Sequence, residues 1–365
     1  MGRRDAQRAR SMKRKGKTLI NSDVERLRVM QSFAALRATT NPYLKQLYFS
    51  LDEYVDVQLF SWRDALAGNF DVLHVHWPEV LLRSGSPRRQ WLRRVALMGV
   101  MIRIRFSRRV LVRTVHNLEP HELGSPLEKR LLRLMNRWTT LFILLVPDTP
   151  VPLAHAPYKV IPHGHYRDWL ASFVTPSTEP GRIAYIGLIR RYKGVKELLD
   201  VFIGTADEHP AWQLRIVGRS EDEYLTSAII AAAAADARIS ARLEYVSDAD
   251  LTYEVGRAEL VVLPYLAMHN SGSALLALSV GRPVLVPRNA VTTALQSEVG
   301  RAWVKTYEPP LTARDVSDAL GFLPEASDGR GPDLTERMWP TIAEAHAKAY
   351  FQAWMLPQLP PSRDH

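Results

Sequence analysis

The chain reads as an α/β protein made of two Rossmann-like, doubly wound domains that face a central cleft. Three observations point there. At 365 residues it is too long for one ordinary domain. Short apolar runs alternate with helical stretches through both halves, the pattern of parallel βαβ units. A Ser/Thr/Pro/Gly-rich stretch, residues 171–181, separates the two series like a linker. Hydrophobic residues make up 46% and charged residues 24%, an ordinary balance for packed cores.

In the first half the strand candidates are residues 28–33, 55–60, 72–76, 110–116, 141–146 and 158–161. In the second they are 182–186, 213–217, 243–246, 260–263 and 283–286, with helices over 195–205 and the alanine-rich 222–237. Residues 333–355 form a last amphipathic segment, interrupted by Pro340 and expected to cross back to the first domain. The expected organisation is a basic tail (1–23), a first domain (24–170), a linker (171–181), a second domain (182–332) and a C-terminal helical segment (333–365).

The net charge is +10, and residues 1–17 alone hold eight Lys/Arg against one Asp. A second basic cluster, Arg83 to Arg113, is interleaved with Trp91, Leu92, Val95, Leu97, Met98, Ile102 and Ile104. It reads as a helix with one basic and one apolar face, suited to an anionic membrane surface. No nucleic-acid motif accompanies it, so nucleic acid is not an expected partner. There is no cysteine, no secretory pattern and no apolar run of about 18 residues. The expectation is a cytoplasmic protein associated peripherally with the inner face of the cell membrane.

Ligands of doubly wound sheets bind beyond the carboxyl ends of the strands. One turn there is Gly187-Leu188-Ile189-Arg190-Arg191-Tyr192-Lys193-Gly194, between a strand and a helix. Glycine lets backbone N–H groups approach an anion, the helix N-terminus adds positive potential, and Arg190, Arg191 and Lys193 supply cations for a diphosphate. A second turn, Asn270-Ser271-Gly272-Ser273, follows an apolar strand and opens an apolar helix ending near Gly281. Its hydroxyls and free amides suit a phosphate or a sugar.

These turns, with the Ile216-Val217-Gly218 strand end and the Gly281-Arg282-Pro283-Val284 segment, resemble the donor half of GT-B glycosyltransferases. Asn41-Pro42-Tyr43, His74-Val75-His76-Trp77-Pro78-Glu79, His116-Asn117-Leu118-Glu119-Pro120-His121 and Pro162-His163-Gly164 are similar to the acceptor half of a narrower group, the xanthan-type β-1,4-mannosyltransferases. The resemblance covers residues 24–355. It implies a GT-B fold, a nucleotide sugar donor such as GDP-mannose, and a polyprenyl-diphosphate-linked oligosaccharide or other glycolipid as acceptor. It assigns donor binding to Gly187, Arg190, Arg191, Lys193, Gly218, His163, Asn270, Ser271, Gly272 and Ser273, and acceptor binding to Asn41, Tyr43, Trp77 and His121.

Two departures bear on mechanism. Retaining members of the fold carry paired glutamates where this chain has His269 and Leu276 or Ala277, and Leu188 stands where an arginine often follows the glycine. An inverting enzyme needs a general base near the acceptor hydroxyl. The strand exits of the first half offer His76, Glu79, His116, Glu119, His121 and Glu122, with Glu79 and His116 favoured. No paired carboxylate presents itself as holder of a nucleotide-bound metal, so neither a metal nor another cofactor is required. A retaining transferase, a nucleotide-sugar epimerase and a catalytically inactive sugar- or lipid-binding module remain as alternatives.

Overall fold

The computed structural model describes residues 26–37, 39–116, 124–266, 268–269, 271–323 and 331–356. The first domain opens with β1 (Arg28–Gln31), α1 (Pro42–Leu51), β2 (Asp56–Gln58), α2 (Trp62–Ala67) and β3 (Val72–Val75). It continues through α3 (Pro78–Leu82), α4 (Pro87–Arg105), β4 (Val110–Val115), α5 (Pro126–Trp138), β5 (Leu141–Leu144) and β6 (Tyr158–Val160). The short α6 (Arg167–Leu170) leads into the second domain: β7 (Arg182–Ile186), α7 (Val195–Ile203), β8 (Gln213–Val217), α8 (Glu223–Ala235) and β9 (Ile239–Arg242). Then come α9 (Asp248–Arg257), β10 (Leu260–Val262), α10 (Gly272–Ser279), β11 (Val284–Pro287), α11 (Ala290–Val299), β12 (Val304–Tyr307) and α12 (Ala313–Gly321). The last helix is α13 (Trp339–Met355).

Each domain holds a six-stranded parallel sheet, ordered β2-β1-β3-β4-β5-β6 and β12-β11-β10-β7-β8-β9. Helices cover both faces, so the inner strands read as nearly unbroken apolar runs such as Leu141–Leu144 and Val284–Pro287. The order reverses between β1 and β3 in the first sheet and between β7 and β10 in the second. Those two switch points are where this architecture receives ligands.

Several elements differ from the sequence reading. The strand expected at 243–246 is β9 four residues earlier, because register with β8 pairs Leu214 with Ile239, and an edge strand needs little burial. Leu243 and Val246 instead pack against the core from a loop. β12, with alternating Lys305 and Thr306 in its middle, was too polar to stand out. Pro340 starts α13 rather than interrupting it, since a proline at the first helical positions removes no hydrogen bond. Tyr166 and Leu170, inside the expected first domain, belong to the second core.

The Arg83–Arg113 stretch is not one helix with a basic face. α4 buries Leu97, Val100, Met101 and Ile104, and its opposite face exposes Trp91 (60%), Leu92, Val95 and Ile102, with Phe106 (82%) just beyond. Arg113 lies inside β4, where burial pulls its guanidinium down to about 10 and the Glu79 carboxylate partly offsets that. Among the described residues no helix is long and apolar enough to cross a membrane.

α13 packs on α1 and β4, completing the first domain's core with Trp339, Ile342, Ala343, Ala347, Tyr350 and Ala353. Its entry clasps the hinge. Arg337 donates to the His163 carbonyl at 3.1 Å while ion-pairing with Glu298 at 2.6 Å, and Trp339 Nε1 donates to the His165 carbonyl at 2.7 Å. A Cβ on Gly164 would lie 2.6 Å from the Trp339 ring, so only glycine fits.

Candidate active site

At the second sheet's switch point, β7 is followed by Gly187 with φ +110° and β8 by Gly218 with φ +150°. Both need glycine. A Cβ on Gly218 would sit 1.9 Å from the Gly187 carbonyl oxygen. A Cβ on Gly187 would meet Ser273 Oγ at 2.7 Å and Lys193 Nζ at 3.6 Å. The two turns read from the sequence therefore close on one another, with an ammonium and a hydroxyl over bare backbone.

Ser271 caps α10, its Oγ accepting from Ala274 N at 3.2 Å, which leaves the Gly272 and Ser273 amides without helical partners. An amide-rich helix start beside a lysine is an anion site. Lys193 Nζ is steadied 4.9 Å above the Tyr265 ring.

Other expected donor residues are engaged elsewhere. Arg191 pairs with Asp222 at 2.6 Å and its side chain is 76% exposed, while Arg190 faces Glu221 at 3.7 Å. Both ring nitrogens of His163 have internal partners: Nδ1 donates to the Gly164 carbonyl (2.7 Å) and Nε2 meets the Tyr166 hydroxyl (3.2 Å). Burial holds that imidazole near about 4, neutral at pH 7, so it brings no cation to a diphosphate. Asn270 lies outside the described residues. The chain does contain one Asp-x-Asp, Asp248-Ala249-Asp250, in the first turn of α9. Asp248 accepts from Trp169 Nε1 at 3.0 Å and Asp250 faces Arg242 at 3.3 Å, so both carboxylates already have protein partners.

At the first sheet's switch point a buried polar chain runs beneath the cleft. His116 Nε2 lies 3.1 Å from His76 Nδ1, and His76 Nε2 lies 3.1 Å from Gln31 Oε1. Gln31 Nε2 donates to the Tyr350 hydroxyl at 3.5 Å, and that hydroxyl is 2.7 Å from His74 Nδ1. His74 Nε2 lies 2.7 Å from Thr114 Oγ1. Desolvation, then the neighbouring imidazoles, push His74, His76 and His116 well below the usual histidine range, so all three are neutral at pH 7. Trp77 stacks on His116 with ring centroids 4.1 Å apart.

The remaining first-half candidates are placed as follows. Glu79 stands in the first turn of α3 near Arg113, whose charge also acts on His116. Asn41 caps α1 through Tyr43 N at 2.9 Å. Tyr43 is buried, its ring 5.4 Å from that of His116 and 4.4 Å from that of His163. Glu119, His121 and Glu122 lie outside the described residues. Gln31, Thr114 and Tyr350 went unread; the only local signal was a polar residue inside an apolar strand.

The half-sites are contiguous. From His116 the rings of Tyr43, His163 and Tyr166 lead to Gly272, where a Cβ would lie 3.1 Å from the Tyr166 hydroxyl. Across the cleft His269 Nε2 meets Thr149 Oγ1 at 3.0 Å. A continuous series of buried rings thus links the neutral His116 imidazole to the start of α10.

Known proteins share this plan. Residues 180–320 match the family described as glycosyl transferases group 1. Anabaena HepE, crystallised with UDP and glucose, aligns with a TM-score of 0.54 at 15% identity, covering 90% of this chain and 96% of its own. Sucrose-phosphate synthase from Thermosynechococcus elongatus aligns at 0.55 and 13%, over 90% and 95%. The protein is a glycosyltransferase with the GT-B fold. It is also 43% identical over 329 residues to a GDP-mannose:glycolipid 4-beta-D-mannosyltransferase of Xanthomonas campestris pv. campestris, covering 90% of this chain and 93% of that protein. The chain belongs to that mannosyltransferase family.

Proposed function

We propose that the enzyme transfers mannose from GDP-mannose to a glycolipid acceptor at an anionic membrane surface, inverting the anomeric carbon. The observation that carries this is the closure of Lys193 and Ser273 over Gly187, contiguous with His116 at the other switch point. The donor diphosphate lies on the Gly187 and Ser271–Ser273 turns, its charge met by Lys193 and the α10 amides without a metal. His116 takes the proton of the acceptor hydroxyl as that oxygen bonds to the anomeric carbon. The bond to the diphosphate oxygen breaks with its electrons on the departing nucleotide. Side chains Ala274 to Leu278 of α10 carry no carboxylate, and His269 is bonded to Thr149, which favours single in-line displacement over a retaining route. The family relative's named donor and acceptor support the sugar and the glycolipid. The exposed Trp91, Val95, Ile102 and Phe106, set among arginines with no acidic residue from 80 to 118, suit the lipid surface on which such an acceptor lives.

Incubation with a panel of nucleotide sugars and a lipid-diphosphate oligosaccharide tests the reading. Turnover is expected with GDP-mannose and a β-linked product by NMR of its anomeric carbon. An α-linked product would remove the inverting mechanism, and turnover with another sugar alone would remove the donor.

A further inference from the structure

We propose that Gln31 and Tyr350 are positioning residues that set the tautomer of His116 and leave its Nδ1 as the proton-accepting atom. This rests on the reading of His116 as the base. A neutral imidazole has one donor and one acceptor nitrogen, and a hydroxyl can both give and receive. A carboxamide cannot choose: its oxygen only accepts and its nitrogen only donates. Gln31 is therefore the member that fixes the direction of the chain.

Its Oε1 faces His76 Nε2 at 3.1 Å, so His76 carries its proton on Nε2. His76 Nδ1 is then a lone pair, and His116 Nε2, 3.1 Å away, must be the donor. The lone pair of His116 is left on Nδ1, which has no hydrogen-bond partner among the described residues. On the other side Gln31 Nε2 donates to Tyr350, whose own proton goes to His74 Nδ1, and His74 Nε2–H donates to Thr114. With the amide in the observed orientation one polarity satisfies every bond, and Gln31, His74 and Tyr350 are 0% exposed. With the amide turned end for end, every bond reverses. His116 then carries its proton on Nδ1 and can accept none there. Tyr350, from α13 at the far end of the sequence, supplies the hydroxyl that receives the amide nitrogen in the observed orientation. Burial, which keeps these imidazoles neutral, gives the tautomer its importance.

Long-range proton–nitrogen NMR of the histidine-labelled protein reads the tautomer directly, without substrate. The wild-type protein is expected to show His76 and His116 both protonated on Nε2. Gln31→Met should mix the His116 tautomers and lower kcat at unchanged donor KM in proportion to the productive fraction lost, about twofold for an even mixture. Gln31→Glu keeps an acceptor facing His76. It should keep His76 and His116 protonated on Nε2 and move the acid limb of the pH–rate profile upward, because a carboxylate favours the protonated imidazole. Tyr350→Phe should give an intermediate tautomer mixture. A wild-type His116 protonated on Nδ1, or the same tautomer mixture in Gln31→Met and Gln31→Glu, would overturn the assignment. Full turnover in His116→Ala would instead remove the base reading itself, leaving the tautomer to the spectrum.

Discussion

Lys193 is the cation that Gly187 leaves room for, whereas Arg190 and Arg191 are drawn toward Glu221 and Asp222 on the next strand's exit. Lys193→Ala should weaken binding of the nucleotide sugar about 10- to 150-fold, the loss of a charge-assisted contact of roughly 1.5–3 kcal/mol. Arg191→Ala, which removes an exposed ion pair, should change it by less than about threefold. Titration calorimetry on both variants separates the two; equal losses would return the duty to the arginine. His116→Ala should lower kcat by about 10²- to 10⁴-fold with donor affinity intact. Glu79→Gln provides the contrast, since its carboxylate faces Arg113 and, among the described residues, takes no part in the hydrogen bonds of the imidazole chain. A loss in Glu79→Gln as large as in His116→Ala would exchange their roles.

At the scale of elements, α4 is anchored by one face and bare on the other. Trp91→Ser with Phe106→Ser should reduce binding to vesicles rich in anionic lipid while leaving the melting temperature within a few degrees, because neither ring is packed. Added salt should weaken what remains, as the Debye length falls from about 10 Å at 0.1 M to about 3 Å at 1 M. Equal binding by wild type and the double variant in vesicle sedimentation would place the contact elsewhere. α4 also shows how far the sequence could be read. Its apolar and basic residues were visible, but which face met the sheet depended on the tertiary register of Leu97, Val100 and Met101. The turns at Gly187 and Ser271–Ser273 were legible as structure because it is local: these residues serve a turn and a helix start within a few positions. The imidazole chain was not, since its bonds join Gln31, His76 and Tyr350, up to 319 positions apart. His116 was favoured together with Glu79, but nothing in the sequence tied it to His76 and Gln31, and His163 was assigned to the donor although Tyr43 and Tyr166 enclose it.

At the scale of the molecule, His74, His76, His116, His163 and His346 are all buried and depressed by desolvation, the last two to about 4. Unfolding returns each to an ordinary value near 6.5, so the unfolded chain binds more protons below that pH. Their stabilising share is complete above about pH 6.5 and is lost as pH falls toward 4, at up to about 1.4 kcal/mol per unit for each. The melting temperature should fall steeply over that window, and a flat profile from pH 7 to 4.5 would contradict the buried, neutral assignment. α13 has a different consequence, one that concerns the order of synthesis. The ribosome releases β1 to β6 long before Trp339, His346 and Tyr350 emerge, so the first domain begins life with an open groove and an unfinished histidine chain. The second domain, whose core needs nothing from α13, can close earlier. A nascent or prematurely ended chain should therefore hold nucleotide before it can transfer sugar. A chain stopped at residue 338 should bind the donor nucleotide and show no turnover.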